Sequence, residues 1–379
     1  MKTLLRIRRR LGPRGFAGAL VVAAFLITRA LAVAATHAGA AQMTPPKVAQ
    51  WRWFENRSDL FPGPPPSPLL APLVRWDANF YIALARNGYP PPHAGPNHFL
   101  AFFPLYGLLV RAAARVVGNV FWAAFLLSNL CALLAALLLV ALGRFARPAD
   151  GLRAAVLFLA SPGAHFFAYP YTEALFAALL AATLLLLRSE RLLLASLPAA
   201  AASASRSPGV AGAVALFAHA LEVHAGSARA RALAAAAVSL AGLLAFMVWC
   251  HIAQGDALAF VHMQALHGRH LRLLGPLRAL IAFDADPDYY LVTFASLYVA
   301  ARMIRRTPSW AWATAAFLVL LPMATGTLQA MIRYQAANVP LICGVPLLAR
   351  GRRFWWLVLA CGALMAFEAW LFGKGIGHY

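Results

Sequence analysis

Charged residues are scarce in this chain: Asp, Glu, Lys and Arg make up 12% of its 379 residues, whereas 62% are hydrophobic. A soluble domain carries roughly twice that share of charge, so the composition excludes a soluble globular protein. Several apolar stretches approach the ~20 residues with which a helix crosses a bilayer. The composition therefore predicts an all-α polytopic membrane protein.

Acidic residues are scarcer than basic ones, with 12 Asp and Glu against 33 Lys and Arg, which gives a net charge of +21. Such an excess can indicate a nucleic-acid partner, but the arginines fall in short clusters between apolar runs. Clusters of this kind mark the cytoplasmic loops of a membrane protein, so we expect no nucleic acid. The basic start of the chain places the N-terminus in the cytoplasm.

Cysteine is also rare. Each of the four cysteines lies inside an apolar run without ligand-like spacing: Cys131, Cys250, Cys343 and Cys361. They are typical of buried apolar positions and not of disulfides or zinc sites. His262, His267 and His270 have no nearby thiolate or carboxylate that would complete a zinc site. We therefore expect neither a metal nor a cofactor.

The arginine clusters also predict a topology. Placing all of them in the cytoplasm gives about eleven spans in a single integral-membrane domain, residues 1–379, with the C-terminus outside. The expected spans are 16–36, 119–143, 153–169, 173–188, 192–206, 208–223, 231–251, 289–303, 309–325, 328–348 and 354–372. The two long external loops are then 37–118 and 252–288. The expected location is the cell membrane.

One apolar segment, 99–118, would invert every later loop if it crossed the membrane. Arg111 and Arg115 lie one turn apart on it, so it can lie flat with both side chains among lipid headgroups. The segment from Asn79 to Arg86 is amphipathic as well. The large first external loop is therefore expected to hold two amphipathic helices on the membrane surface.

Polar residues collect on the outer side of this topology, whereas the inner loops offer only arginines. They fall in five sets: Asp77, Ser161 to Glu173, Ser205 to Gly209, Phe260 to Arg269, and Gln329 with Arg333 and Tyr334. Their convergence on one leaflet indicates a site that faces outward.

The same sets carry a resemblance to a known family. In chain order its motifs are Trp76-Asp77-Ala78 through Gly88-Tyr89, Phe102-Phe103-Pro104-Leu105-Tyr106, Tyr171-Thr172-Glu173-Ala174-Leu175-Phe176, Arg206-Ser207-Pro208-Gly209, Gly255-Asp256-Ala257-Leu258-Ala259-Phe260 with Gln264, and Arg333-Tyr334. Together they resemble the PIG-V-like mannosyltransferases, membrane enzymes of the GT-C glycosyltransferase class. Three features depart from the family pattern: His267 stands where tryptophan is commoner, Gly107 replaces a frequent proline, and Arg333-Tyr334 is followed by Gln335 and Ala336.

The resemblance implies a fold, a reaction and partners. The fold would be a GT-C-type bundle of transmembrane helices. The reaction would move mannose from a polyprenyl-phosphate sugar donor to a hydroxyl of a glycolipid or glycan acceptor, among membrane lipids. The members of its motifs assigned to substrate binding are Trp76, Tyr81, Glu173, Arg206, Gln264, His267, Arg333 and Tyr334.

Residue chemistry gives some of these positions a role. Asp77 is the expected general base, which takes the proton of the acceptor hydroxyl as C1 of the sugar is attacked. Arg206 and Arg333 are expected to meet the departing lipid phosphate, with Arg269 as a third candidate. Such a donor carries only one negative charge, so arginines can replace a metal. We expect inversion, since retention needs a second carboxylate, for which Glu173 is the one candidate.

Each of these residues also has a structural interpretation. Asp77 could cap the helix that starts at Ala78, and Glu173 could complement a helix dipole. Arg206 and Arg333 could extend to lipid headgroups. Four tyrosines suit the aromatic belt of a membrane interface: Tyr81, Tyr89, Tyr106 and Tyr171.

Other functions remain as alternatives. A transporter or lipid flippase would show matched halves or charges at mid-membrane depth, but there is no internal repeat and only Arg29 and Glu368 fall deep in a span. A structural assembly subunit would not explain the outward polar sets. Within the GT-C class, the alternative is an arabinosyl or protein O-mannosyl transferase, which should carry two adjacent acids where this chain has Asp77 and Ala78.

Overall fold

The computed structural model describes residues 2–43, 63, 65–92, 97–144, 147–266 and 268–376, and these contain helices but no strand. The α-helices in chain order are α1 Lys2–Ala40, α2 Asp77–Asn87, α3 Pro104–Val117, α4 Val120–Leu142, α5 Pro148–Ala160, α6 Glu173–Arg188, α7 Leu192–Ser203, α8 Ala211–Glu222, α9 Ser227–Val238, α10 Ala241–Gln254, α11 Ala259–Leu266, α12 Gly275–Ile281, α13 Pro287–Met303, α14 Ser309–Met323, α15 Met331–Ala336, α16 Val339–Leu348 and α17 Gly351–Lys374. Short 3-10 helices lie at Ala71–Leu73, His98–Ala101, Pro162–Ala168 and Ser207–Val210.

Among the described residues, four helical segments are long and apolar enough to cross a bilayer: Gly15–Ala40, Val120–Leu142, Ser227–Gln254 and Gly351–Lys374. A bent pair, Ala149–Ala160 with Pro162–Ala168, forms a fifth if it is one span. All of these overlap expected spans, and the helical membrane architecture is as expected. Several other expected spans are shorter apolar helices, such as Leu192–Ser203, Ser309–Met323 and Val339–Leu348. The total of eleven spans stays a prediction.

The first and last long helices, α1 and α17, pack closely along each other. A Cβ atom on Gly39 would collide with the carbonyl oxygen of Trp370, and one on Gly373 would collide with that of Thr36. Glycine at these two positions therefore lets the two backbones come into direct contact, as small residues do between membrane helices. The helices α1 and α17 therefore form one closely packed pair.

The bent pair breaks at Ser161 and Pro162, where the axis turns by 74°. Such a break leaves backbone carbonyls without their helical partners. Arg29 from α1 is buried and supplies donors there, with Nη1 2.7 Å from the oxygen of Ala164 and Nη2 3.3 Å from that of Leu159. This buried charge therefore has a structural use, because it satisfies backbone carbonyls on both sides of the break.

The two helices expected in the first external loop are α2 and α3, and they pack against each other. The sequence placed Arg111 and Arg115 together among headgroups, and for Arg111 this was wrong. Its Nε donates to the carbonyl oxygen of Ala85 (2.7 Å) and its Nη2 to that of Leu84 (3.1 Å). A guanidinium group can satisfy the last carbonyls of a neighbouring helix in this way, so Arg111 fixes α3 to the end of α2.

The aromatic-belt interpretation was also wrong for three tyrosines. Tyr81, Tyr106 and Tyr171 are almost fully buried. Tyr106 reaches Ser128 on α4, with the two side-chain oxygens 2.7 Å apart. These hydroxyls find partners inside the bundle, which is why the rings need no contact with the membrane interface.

Candidate active site

Four charged side chains meet at one end of the bundle, each from a different segment. Asp77 opens α2, Glu173 opens α6, Arg206 follows α7, and Arg333 lies on α15. Close backbone contacts fix the last two. A Cβ atom on Gly209 would collide with the carbonyl oxygen of Ala202, so the turn after Arg206 folds tightly back on α7.

The short helix α15 is held in the same manner. A Cβ atom on Gly163 would collide with the carbonyl oxygen of Ile332, so α15 lies directly on the 3-10 helix Pro162–Ala168. Ala330, just before α15, has a left-handed backbone with φ 63°. An alanine in this conformation is strained and persists only where the surroundings require it. This contact brings Arg333 beside the start of α6.

The four side chains form a continuous charged chain. Arg333 Nη1 donates to Asp77 Oδ2 at 2.7 Å. Arg333 Nε and Arg206 Nη1 both contact Glu173 Oε1, at 2.8 and 2.9 Å. The two contacts to Glu173 are ion pairs without the alignment of a linear hydrogen bond. One carboxylate thus holds two guanidinium groups, and one of these holds the second carboxylate.

Exposure falls steeply along this chain. The side chain of Glu173 has no exposed surface and those of Arg206 and Arg333 are 8% exposed, whereas that of Asp77 is 24% exposed. Arginines buried to this extent do not extend to lipid headgroups, so that interpretation of both residues was wrong. Asp77 is therefore the more exposed of the two carboxylates.

The two arginines retain unused donors. Nε of Arg206 is buried without a hydrogen-bond partner, and no hydrogen bond to Nη2 of Arg206 or Arg333 occurs within the described residues. The guanidinium carbon of Arg206 lies 5.2 Å from the ring centre of Tyr334, and that of Arg333 lies 5.4 Å from that of Tyr171. Stacked arginines with free N–H groups are suited to bind a planar or tetrahedral anion.

A third arginine joins the cluster through Tyr334. Arg269 Nη1 donates to the Tyr334 hydroxyl at 3.2 Å. Three guanidinium groups (Arg206, Arg269, Arg333) thus stand against two carboxylates (Asp77, Glu173), which leaves an excess of one positive charge (3 − 2). From the sequence alone, Arg269 ranked third, behind Arg206 and Arg333.

The structure shows no side-chain hydrogen bond by which Asp77 would cap α2. Trp76 is the N-cap residue of α2, and Asp77 lies in the first turn without a side-chain cap bond. The acid still complements the positive end of the helix. Its Oδ2 atom nevertheless accepts from Arg333, so its direction is set by the cluster.

Tyr81 lies one helical turn beyond Asp77. Its hydroxyl is 3.3 Å from Thr172 Oγ1, beside Glu173. Burial raises the pKa of Tyr81 well above its ordinary value, and the nearby charges of Glu173 and Asp77 raise it further. The phenol is therefore neutral at any physiological pH and can act only as a hydrogen-bonding group.

Two residues assigned from sequence lie elsewhere. Gln264 is on α11, and no hydrogen bond or ion pair within the described residues joins it to the four charged side chains. Its neighbour His262 pairs with Asp256 at 2.6 Å, and although slight burial acts to raise the pKa of Asp256, this pair lowers it. His267 lies outside the described residues.

Sequence reasoning missed one residue, Arg75, which lies two residues before Asp77. Its Nη1 donates to the carbonyl oxygen of Gly373 at the end of α17. The sequence feature that could have indicated it is a charged residue in the turn that leads into α2.

As for metals, no group of three or more His, Cys, Asp or Glu side chains could hold an ion in the part of the chain that the structure describes.

Apolar membrane-length helices around a buried cluster of arginines and carboxylates define an integral-membrane protein with a built polar site. Comparison with known families identifies it further. The family model for Mannosyltransferase (PIG-V) matches residues 66–251, which include Asp77, Glu173 and Arg206 but not Arg333. No curated protein matches the chain. The match confirms the resemblance to the PIG-V-like mannosyltransferases over this part of the chain, and it supports a glycosyltransferase.

The arginine pair generates a prediction about transfer. Arg206→Lys and Arg333→Lys should each lower the rate of sugar transfer by about one to two orders of magnitude. An ammonium keeps the charge but loses the paired donors that meet developing negative charge. Arg188→Lys is the matched control, because Arg188 donates to the carbonyl oxygens of Ala141 and Leu142 at the other end of α6. Full activity in both site variants would leave these arginines without a part in donor binding.

Proposed function

We propose that this protein transfers mannose from a polyprenyl-phosphate mannose to a hydroxyl of a glycolipid or glycan acceptor. The reaction inverts the configuration at C1, needs no metal, and takes place at the outer face of the membrane. The observation that carries the proposal is a pair of buried arginines with unused N–H donors, Arg206 and Arg333, of which Arg333 also donates through Nη1 to the partly exposed carboxylate of Asp77 at 2.7 Å.

The charge of the cluster supports a lipid-phosphate donor. A sugar joined to a lipid through one phosphate is a phosphodiester with one negative charge. That charge matches the one excess positive charge of the cluster, whereas a nucleotide diphosphate sugar carries more and commonly needs a metal ion. The donors of Arg206 and Arg333 bind the phosphate oxygens, and their hold tightens as the phosphate gains charge in the transition state.

Asp77 supports the other half of the reaction. It takes the proton of the acceptor hydroxyl as the acceptor oxygen forms its bond to C1. The bond from C1 to the phosphate oxygen breaks, and its electron pair leaves with polyprenyl phosphate as a monoester. The proton remains on Asp77 until it passes to water. The partial exposure of this carboxylate gives the acceptor access to it.

The position of Glu173 supports inversion. A retaining enzyme needs a carboxylate that attacks C1 itself, roughly 5 to 5.5 Å from the acid–base residue. Glu173 is fully enclosed and held by two arginines, so its oxygens have no approach to a sugar. It acts as the counter-ion that keeps both arginines in place, and Asp77 is left as the acid that faces substrate.

The outward orientation predicts a labelling pattern. Ser207 adjoins Arg206, whereas Ser189 follows α6 at its other end, about 24 Å from Glu173 by the length of a 16-residue helix. Both side chains are exposed. A cysteine at Ser207 should react with a membrane-impermeant thiol reagent in intact cells, and one at Ser189 only after permeabilisation. The reverse pattern would put the site on the cytoplasmic face.

Asp77→Asn should abolish most of the activity and leave the fold intact. The amide keeps the size of the side chain but cannot take a proton, so transfer should fall by about two to four orders of magnitude. The free energy of unfolding should change by about 1 kcal/mol or less, since Arg333 retains its pair with Glu173. The measurements are transfer of labelled mannose and thermal unfolding in detergent.

Asp284→Asn is the control for that experiment. Asp284 is an exposed acid of the second long loop, outside the cluster. It should transfer at the wild-type rate. A folded Asp77→Asn protein that matches it would leave the proposed mechanism without its base.

A further inference from the structure

The carboxylate of Asp77 is aimed by a strained turn. The N–H of Ala78 donates to the carbonyl oxygen of Arg75 at 3.1 Å, which closes a turn over Trp76 and Asp77. Trp76 has φ 46° and ψ −121°, the values of the first central residue of a type II′ turn. That position favours glycine, because a side chain is strained there. A tryptophan stays in it only where surrounding contacts hold it.

Those contacts come from the end of α17. Arg75 Nη1 donates to the carbonyl oxygens of Gly373 (2.6 Å) and Phe372 (3.3 Å). The ring of Trp76 packs on that of Phe372, with 4.8 Å between ring centres. The turn is thus fastened to the last helix by the two residues that directly precede Asp77.

A further bond ties the turn to the site. The hydroxyl of Tyr171 donates to the carbonyl oxygen of Arg75 at 3.1 Å, and the ring of Tyr171 lies under the guanidinium of Arg333. The end of α17 is in turn fixed to α1 through Gly39 and Gly373. Contacts therefore run without a gap from the pair of terminal helices to the ion pair between Asp77 and Arg333.

We propose that Arg75 is a positioning residue for the reaction: its bonds to the end of α17 hold the strained turn at Trp76, and the turn directs Asp77 toward the acceptor. The inference rests on the proposed role of Asp77 as the base. Arg75 itself touches neither substrate nor the reacting atoms. Its loss lets the turn relax, and misplacement of a reacting group by about 1 Å can cost a factor of about 100 in rate.

The experiment separates positioning from mere stability. Arg75→Gln should lower kcat by roughly 10- to 100-fold and leave KM for the lipid-phosphate donor unchanged, because Arg206 and Arg333 keep their places. Arg75→Lys should recover much of the rate, since an ammonium can still donate to the carbonyl oxygen of Gly373. Arg188→Gln removes equivalent arginine-to-carbonyl bonds far from the site and should keep the wild-type kcat.

A glycine pair tests the same idea without changing a charge. Gly373→Ala forces α17 away from α1 at the point where Arg75 binds, and it should lower kcat in the same manner as Arg75→Gln. Gly362→Ala lies on the same helix with no atom within 4 Å of the added Cβ, and it should have no effect. If Arg75→Gln fails to fold, the comparison of Gly373→Ala with Gly362→Ala tests the inference instead.

Two results would overturn the inference: wild-type kcat in Arg75→Gln, or an equal loss of kcat in Arg188→Gln at matched stability. Failure of the proposed function looks different. In that case the wild-type protein transfers no mannose from the lipid-phosphate donor, or Asp77→Asn transfers as well as wild type.

Discussion

The site depends on one interaction, the pairing of the buried Glu173 carboxylate with Arg206 and Arg333. A carboxylate without exposed surface is costly unless it is paired, and so are two buried guanidinium groups. Each of the three therefore requires the other two. Their positions in turn require that the start of α6, the turn after α7 and the short helix α15 meet at one point. The contact of Arg333 with Asp77 then joins the start of α2 to this assembly.

The same pairing distinguishes the two carboxylates. Glu173 is buried against both arginines, whereas Asp77 keeps partial exposure, so Glu173 is suited to a structural role and Asp77 to contact with a substrate. The arginines, bound to Glu173 by only some of their N–H groups, keep others for an anion. This arrangement also weighs against a transport function. The buried Arg29 is used by the backbone of a broken helix, and the buried charges of the candidate site are paired with one another in a single cluster.

Much of this could be predicted from the sequence, but not the pairing. The four charged residues of the site all stood out as polar residues of an apolar chain, and their motifs carried the resemblance to the PIG-V-like mannosyltransferases. Which acid would be enclosed was not predictable, because it depends on close backbone contacts at Gly163 and Gly209 that no local pattern reveals. Arg111 and Tyr106 were misplaced for a related reason: an amphipathic helix looks the same whether it lies on lipid or on protein. The number of spans stays a prediction because several apolar helices are shorter than a bilayer.

Mannose is proposed to come from a lipid-phosphate donor and to be joined to the acceptor with inverted configuration at C1. This proposal is tested most directly by incubating the purified protein with polyprenyl-phosphate mannose and a panel of membrane lipids and glycolipids. The products are followed by mass spectrometry, and the anomeric configuration of the new bond is determined by NMR. The account predicts one added hexose on an acceptor, release of polyprenyl phosphate, an inverted anomeric centre and undiminished transfer in EDTA. Transfer from GDP-mannose alone, or retention of configuration, would contradict it.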